Sequence, residues 1–424
     1  MKNIKRVYKH YLSGGSLLLI ATVVVNICNF VFNAYLGRVL TFEQFGIITL
    51  INTMWYIALI PINALYTTVN HRIAFLNSNE NTQESLHFLQ STKRRNLFIS
   101  LFISTCFLAA VPLTDEFFQI HNYVITFLFT PMITFGVITA INKGFLQGIF
   151  NFKSVAIIII IEAISKLIIA FLLVDVKMNS WVFISLPLSA CAAFLLSFHF
   201  ISSKKGMQVK SSMYQFPSKF FSAAVVTGIS SIAFLSVDVI LAKHFLTPTD
   251  AGKYAFLSLI GKMVYFFGAL PNLLTVSFVS RDLGNKKNPD STFYKLFSLA
   301  LFLTVAVFIG VGPLGKIFIP LLFGNKTTAI LPYLTLYSTA IMFFTLSSSF
   351  ITFYLAKQRY FFSVLAILMA VIMCVGISLF HNGIDQIIHV IFYTSILSLT
   401  MFIFSHILEV NHLLKLNKFL YLKQ

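Results

Sequence analysis

Four ionisable side chains lie in long apolar runs of this sequence, where charge is costly to bury. Glu162 and Lys166 stand near the middle of AIIIIIEAISKLIIAFLLV, four residues apart and therefore on one face of a helix. Asp238 lies near the outer end of one apolar run and Lys262 in the middle of the next. Ionisable residues inside membrane segments usually face a partner, water or a substrate path. We therefore expect Glu162 and Lys166 either to neutralise each other or to line such a path.

Lys262 differs from this pair because no charged residue lies three or four positions from it. A buried ammonium without a counter-charge is strongly unfavourable. Three environments would satisfy it: a carboxylate on another helix, water in a cavity, or an anionic ligand. A fully desolvated lysine could instead be neutral. The sequence leaves these alternatives open.

Asparagines mark the first apolar run. Asn26, Asn29 and Asn33 are spaced three and four apart, which places three amides on one helical face. Such a face either makes hydrogen bonds between helices or forms the polar wall of a water-filled cavity. The candidates for substrate or cavity contact are Lys262, Lys166, Glu162, Asp238, Asn26, Asn29, Asn33 and Arg72.

Signatures of enzymatic chemistry are missing from the sequence. It contains no GxxxxGK[ST] phosphate loop, no HExxH metal motif and no GxSxG nucleophile motif. The four cysteines lie in apolar runs and lack the spacing of metal ligands. We therefore expect a carrier rather than an enzyme, with no catalytic residue, no metal site and no cofactor.

The composition identifies the elements that must position these residues. Hydrophobic residues make up 58% of the chain and charged residues 10%, and the mean hydropathy is +0.86. A soluble domain carries about 25% charged residues. Windows of about 20 apolar residues, enough to cross the hydrocarbon core, predict twelve helical spans. These lie near residues 15–35, 45–68, 96–113, 124–146, 154–174, 182–201, 220–241, 254–278, 293–311, 332–355, 361–380 and 386–408.

The formal net charge of +18 has a membrane explanation. Most of the 31 lysine and arginine residues fall in alternate connections between the spans, on the side that also holds both termini. The positive-inside rule assigns that side to the cytoplasm. We therefore predict a multi-pass protein of the cell (inner or plasma) membrane with both termini cytoplasmic. The same distribution argues against nucleic-acid binding, since the basic residues lie between apolar spans.

The two halves of the chain resemble each other. Leu40-Thr41 pairs with Leu246-Thr247 and Gly46 with Gly252 at the same offset, and prolines follow at similar depths in the second and eighth spans. The predicted fold is all-α, with twelve transmembrane helices in two pseudo-symmetric six-helix lobes around a central cavity. The predicted boundaries are 1–205 for the first lobe, 206–219 for a cytoplasmic linker, 220–408 for the second lobe and 409–424 for a cytoplasmic amphipathic tail.

Three segments, YLGRVLTFEQFG, KGFLQGIFNF and VDVILAKHFLTPTDAGKYAFLSLIGK, together with the two six-helix halves, resemble the polysaccharide transporter family. That family contains flippases of lipid-linked oligosaccharides such as O-antigen units. It belongs to the multidrug/oligosaccharidyl-lipid/polysaccharide exporter superfamily. The resemblance covers nearly the whole chain in architecture.

The resemblance implies a flippase that carries polyprenyl-pyrophosphate-linked oligosaccharides to the outer leaflet by alternating access. The implied partners are this lipid-linked substrate, membrane lipids, a polysaccharide polymerase and glycosyltransferases. Lys262 and Lys166 are the intramembrane cations that a pyrophosphate would meet. Two alternatives remain open: a multidrug or organic-cation exporter of the same superfamily, and a membrane oligosaccharide polymerase. The balance of Glu162 and Asp238 against Lys166 and Lys262 argues against the acidic cavity of a cation exporter.

Overall fold

The structure, a computed structural model, describes residues 2–40, 42–78, 82–112, 123–202, 215–323, 328 and 330–421. All regular structure within these residues is helical. Ten segments of the described chain are long and apolar enough to cross a membrane by length and composition. The two other predicted spans, near 45–68 and 96–113, lie for the most part in the long helices Phe42–Ser78 and Thr82–Ala109. The protein is therefore an all-α membrane protein with twelve spanning helices, as predicted.

The chain divides into two compact units. Unit 1 comprises Met1–Phe221 and Ser280–Lys287, and unit 2 comprises Ser222–Val279 and Asn288–Gln424. Each unit contributes six spans. Of the predicted linker 206–219, residues 206–214 lie outside the described residues.

Unit 1 is built from six long helices. They are α1 (Lys2–Val39), α2 (Phe42–Ser78), α3 (Thr82–Ala109), α4 (Tyr123–Gly148), α5 (Phe152–Asp175) and α6 (Ser185–Ser202), the last preceded by a 3-10 turn at Asn179–Ile184. Helix α2 packs along α4, and α1 packs along α5. Phe32, Phe129 and Phe183 contribute to the apolar core between α1, α2, α4 and α6. These helices are apolar on most faces because they meet lipid on one side and protein on the other.

The close contact of α2 with α4 depends on two glycines. A Cβ at Gly144 would lie 2.6 Å from the carbonyl oxygen of Tyr66, and one at Gly148 would lie 2.7 Å from Cβ of Ile73. The two glycines are four residues apart on one face, so the backbones can approach as small residues allow in membranes. The close contact of α2 with α4 therefore requires glycine at both positions.

The helices of unit 2 are more numerous and shorter. They are α7 (Ser218–Ile232), α8 (Asp238–Phe245), α9 (Pro248–Gly261), α10 (Met263–Gly268), α11 (Asn272–Gly284), α12 (Asp290–Val311), α13 (Gly315–Phe323), α14 (Leu331–Ala356), α15 (Phe361–Leu379) and α16 (Ile384–Tyr421). The first residues of α7 and the last residues of α11 belong to unit 1. A π-helical turn at Ala233–Val237 joins α7 to α8. Helix α14 packs against α12 and α16 and is buried over most of its length. The predicted tail 409–424 continues α16 to Tyr421, and residues 422–424 lie outside the described residues.

The eighth predicted span is interrupted twice, at Lys262 and around Pro271. Helix α10 ends at Gly268 and α11 begins at Asn272, because proline cannot donate the backbone hydrogen bond that would continue the helix. Pro61, at the corresponding depth in the first half, lies instead inside the continuous helix α2. The matching prolines of the two halves therefore have different effects on helix continuity.

Candidate functional site

A cavity of about 220 Å³ lies within unit 1, among α1, α2, α4, α5 and α6. Its polar lining comes from α1, α5 and α6, and α2 contributes two aromatic rings. The lining residues are Val25, Asn29, Trp55, Tyr56, Leu59, Met132, Ile159, Glu162, Ala163, Lys166, Leu186, Ser189 and Ala190. Two of these side chains, Glu162 and Lys166, are of residue types that carry a formal charge. A concave, mostly apolar lining with a few polar groups is the usual composition of a ligand site.

Lys166 reaches from α5 to α1. Its ammonium donates a hydrogen bond to Oδ1 of Asn29 and lies 4.8 Å from the centroid of the Phe32 ring. Among the described residues, none of the ion pairs includes Lys166. The amide oxygen and the ring face both favour a nearby cation, but neither cancels its charge. Lys166 therefore contributes a positive charge to the cavity.

Glu162 has its partner on a different helix from the one expected. One of its carboxylate oxygens lies 3.9 Å from Nζ of Lys143 on α4, and the two side chains are 34% and 24% exposed. Glu162 therefore forms an ion pair with Lys143, and its neutralisation of Lys166 along the same helix stays a prediction. Lys166 donates a hydrogen bond to Asn29 on α1, whereas Glu162 lies within ion-pair distance of Lys143 on α4. The lysine and the carboxylate both line the cavity, but each is held by a neighbouring helix.

The remaining unit 1 candidates lie apart from the cavity or outside the description. Asn29 lines the cavity, whereas Asn26 is half-buried and does not appear in its lining. The side chain of Asn33 lies outside the described residues. Arg72 forms an ion pair of 3.1 Å with Glu84, and the two side chains are 28% and 32% exposed. Contact of Asn26, Asn33 or Arg72 with a substrate stays a prediction.

The other charged candidates meet in unit 2. Nζ of Lys262 lies 2.9 Å from Oδ1 of Asp238, and the side chains are 7% and 1% exposed. The hydroxyls of Tyr254 and Tyr337 each donate to Oδ2 of Asp238 at 2.9 Å. Tyr337 also contacts the hydroxyl of Ser258 at 3.1 Å. Of the environments open to Lys262, the structure therefore shows a carboxylate on another helix.

Such a pair is stable only when the remaining lone pairs are also satisfied, because removing two charges from water is expensive. Both oxygens of the Asp238 carboxylate accept hydrogen bonds, one from an ammonium and one from two phenols. Contact of Asp238 and Lys262 with a substrate stays a prediction.

Irregular backbone positions this cluster. The π-helical turn Ala233–Val237 ends directly before Asp238, and Lys262 stands at the interruption between α9 and α10. Gly261 is also required, because a Cβ there would lie 2.3 Å from Cδ1 of Tyr337. Departures from the α-helical repeat inside membrane helices often accompany functional sites. The four polar side chains are thus supplied by three separate stretches of chain: α8, α9 with its end at Lys262, and α14.

Sequence reasoning missed Lys143, Tyr254 and Tyr337. The positive-inside rule accounted for Lys143 as a cytoplasmic charge, so its contact with Glu162 on the next helix was not expected. The two tyrosines stand in apolar runs with no neighbouring charge to single them out. Within the described residues, no cluster of three or more His, Cys, Asp or Glu side chains is arranged to hold a metal.

No protein-family model and no curated protein matches the chain. Solved structures match nearly all of it. One is the outward-facing conformation of a multidrug resistance MATE family transporter of the MOP superfamily, with a TM-score of 0.74, 13% identity and 96% of both chains covered. Another is a MATE protein in complex with MaD3S, with a TM-score of 0.78, 12% identity and 96% and 97% covered.

A third similar structure is a MOP superfamily transporter from Pyrococcus furiosus, for which the reverse polarity of the binding pocket is said to suggest a different function. Its TM-score is 0.71, with 12% identity and 94% and 95% of the two chains covered. At these identities the likeness shows the fold alone, which is the twelve-helix, two-lobe fold of the MATE transporters.

Proposed function

We propose that this protein is a membrane exporter of organic compounds and that its substrate places a polar group in the cavity of unit 1. The observation that carries the proposal is the pair of ionisable side chains, Glu162 and Lys166, that line this cavity between apolar helices. Charges inside membrane spans are retained mainly where they serve a substrate or ion path. The fold of the MATE transporters supports the same assignment.

The volume of the cavity limits the size of the substrate group that it can hold. Binding sites for whole drug-sized ligands usually measure about 300–1,000 Å³. A cavity of about 220 Å³ suits one part of a substrate, such as a charged or hydroxylated group. Trp55 and Tyr56 add aromatic surface on the α2 side, against which an apolar or ring-shaped part would pack.

The named functions of the similar structures favour one of the alternatives considered above. One of them is a multidrug resistance transporter, and this supports an exporter of small organic compounds more than a flippase of lipid-linked oligosaccharides. The charges of the cavity, one carboxylate and one ammonium, lack the acidic excess that a dedicated cation exporter would need. A broad or anionic substrate fits these charges better.

A flippase of polyprenyl-pyrophosphate-linked oligosaccharides is the second candidate. Lys166 favours it, because its ammonium has no carboxylate partner among the described ion pairs and could meet a phosphate. The sequence resemblance to polysaccharide transporters supports the same reading. Under this proposal the prenyl chain stays in the lipid and only the head group enters protein, which avoids about 2–7 kcal/mol for each unmatched polar group in hydrocarbon.

Reconstitution separates the two candidates. The purified protein is placed in liposomes and supplied either with fluorescent amphipathic dyes or with a labelled prenyl-pyrophosphate-linked oligosaccharide. An organic-compound exporter moves the dyes and leaves the lipid-linked sugar in its original leaflet. A flippase exposes the sugar to an added glycosidase and does not move the dyes. Movement of neither above the level of protein-free liposomes would contradict both candidates.

A further inference from the structure

The charge of the unit 1 cavity depends on a residue that does not line it. Among the lining residues, only Glu162 and Lys166 carry formal charges, so the cavity alone is balanced. Glu162, however, lies 3.9 Å from Nζ of Lys143, which is absent from the lining. Opposite charges at this separation largely compensate each other at distances beyond the pair.

The two groups that hold Lys166, unlike the partner of Glu162, carry no charge. Asn29 and Phe32 are neutral, so they hold the ammonium in place without compensating its charge. Glu162 acts electrostatically on Lys166 as well as on Lys143, so the one carboxylate and the two ammonium groups together carry one net positive charge. A substrate group that enters the cavity therefore meets a net positive charge.

We infer that Lys143 determines the charge preference of the cavity, and that through its pairing with Glu162 the cavity accepts an organic anion such as an alkyl phosphate. The inference rests on the proposed function and specifies its substrate class. Lys143 is a positioning and selectivity residue, since it acts through Glu162 and not by contact with the substrate. Without it, the carboxylate would compensate Lys166 and the cavity would lose its preference for anions.

Four variants isolate this role. Lys143→Met removes the compensating charge and keeps a side chain of similar length, whereas Lys143→Arg keeps the charge. The double variant Lys143→Met/Glu162→Gln removes both members of the ion pair. Lys153→Met is the matched control, because Lys153 is an exposed lysine at the start of α5 that does not line the cavity.

Binding is measured first, through a reporter already in the cavity. The chain contains two tryptophans, and Trp55 lines the cavity. Trp181→Phe leaves Trp55 as the single tryptophan. Purified protein in this background is titrated with butyl phosphate and with butyltrimethylammonium, two probes with matched tails and opposite charge, and the Trp55 fluorescence gives both affinities.

The inference predicts tighter binding of butyl phosphate than of butyltrimethylammonium in the parent protein. In Lys143→Met the ratio of the two affinities falls by about tenfold or more, which corresponds to a change of about 1.4 kcal/mol in the relative binding free energy. Lys143→Arg and Lys153→Met keep the parent ratio. The double variant regains it, because the neutral glutamine no longer opposes Lys166. Equal ratios in the parent and Lys143→Met, or a double variant that behaves like Lys143→Met, would overturn the inference.

Transport in liposomes then distinguishes the inference from the function on which it rests. Vesicles are loaded with free butyl phosphate or prepared with a prenyl phosphate in the bilayer, so that soluble and lipid-borne anions are compared. Selective binding with no transport of either probe would refute the proposed exporter and leave the selectivity role of Lys143 supported. Transport in which Lys143→Met keeps the parent preference for anions would refute that role and leave the exporter standing.

Discussion

At the scale of single residues, the two units satisfy their buried charges differently. In unit 2, Asp238 and Lys262 form an ion pair that two phenols complete, and both side chains are almost fully buried. In unit 1, Glu162 and Lys166 have separate partners and remain partly exposed at a cavity. The first arrangement is typical of a structural network, and the second leaves charge available to a ligand.

The pairing of Lys262 predicts a large effect on stability. Lys262→Met leaves the Asp238 carboxylate buried with only phenolic donors, and breaking a buried pair in this way costs about 3–5 kcal/mol. The double variant Asp238→Asn/Lys262→Met removes both charges and should recover most of that loss. Thermal unfolding of the three proteins in detergent measures this. A double variant no more stable than Lys262→Met would contradict the assignment.

His71 predicts a pH dependence. It lies beyond the end of the predicted second span, its ring is stacked on Phe220, and its Nδ1 is 2.7 Å from the hydroxyl of Ser280. Burial, with a smaller effect of the neighbouring Arg72, lowers the pKa of His71 from 6.5 to about 3. Between these two pKa values the unfolded chain binds a proton at His71 and the folded chain does not. The free energy of unfolding is therefore unaffected by His71 above about pH 6.5 and decreases as the pH falls towards 3.

Between pH 6.5 and about pH 5, we expect His71 to account for a loss of about 2 kcal/mol of folding free energy. The unfolding temperature of the wild type should fall over this range more than that of His71→Gln, whose side chain does not titrate. His389→Gln is the control for the loss of an exposed histidine. Identical pH profiles for wild type and His71→Gln would contradict the expectation.

At the scale of elements, the packing of α2 against α4 is set by Gly144 and Gly148. A side chain at Gly144 meets the Tyr66 carbonyl, which is backbone and cannot rotate away. Gly144→Leu should therefore destabilise the protein by about 1–3 kcal/mol, as overpacking usually does. Gly310→Leu serves as the control, since nothing lies within 4 Å of a Cβ at that position. The unfolding temperatures of the two variants are compared with that of the wild type. Equal effects of both substitutions would contradict the proposed role of Gly144 in packing.

The helices themselves follow from the sequence, because runs such as AIIIIIEAISKLIIAFLLV can only be buried in lipid or protein. The break at Pro271 also follows, from the missing N–H of proline. The π-helical turn before Asp238 has no such signal, since AFLSV is unremarkable as helix sequence. The partners of these charged side chains could not be predicted from the sequence either. Lys143 meets Glu162 through a hairpin whose geometry the sequence does not state, and Tyr337 meets Asp238 from a distant helix.

At the scale of the whole molecule, the fold is that of the MATE transporters and the orientation of the chain stays a prediction. The distribution of lysine and arginine predicts that Lys287 faces the cytoplasm and Asn382 the outside. In a cysteine-free background, Asn382→Cys should react with a membrane-impermeant maleimide in intact cells. Lys287→Cys should react only after the cells are permeabilised. The reverse labelling pattern would contradict the predicted orientation.

The proposal that unit 1 holds the substrate is tested most directly by the rate of transport without its two charges. The rate at which reconstituted protein moves its best substrate is measured for the wild type, for Glu162→Gln/Lys166→Met and for the control Lys153→Met. We expect a reduction of about tenfold or more in the double variant and a wild-type rate in the control. Transport by Glu162→Gln/Lys166→Met at the wild-type rate would show that the substrate does not use this cavity.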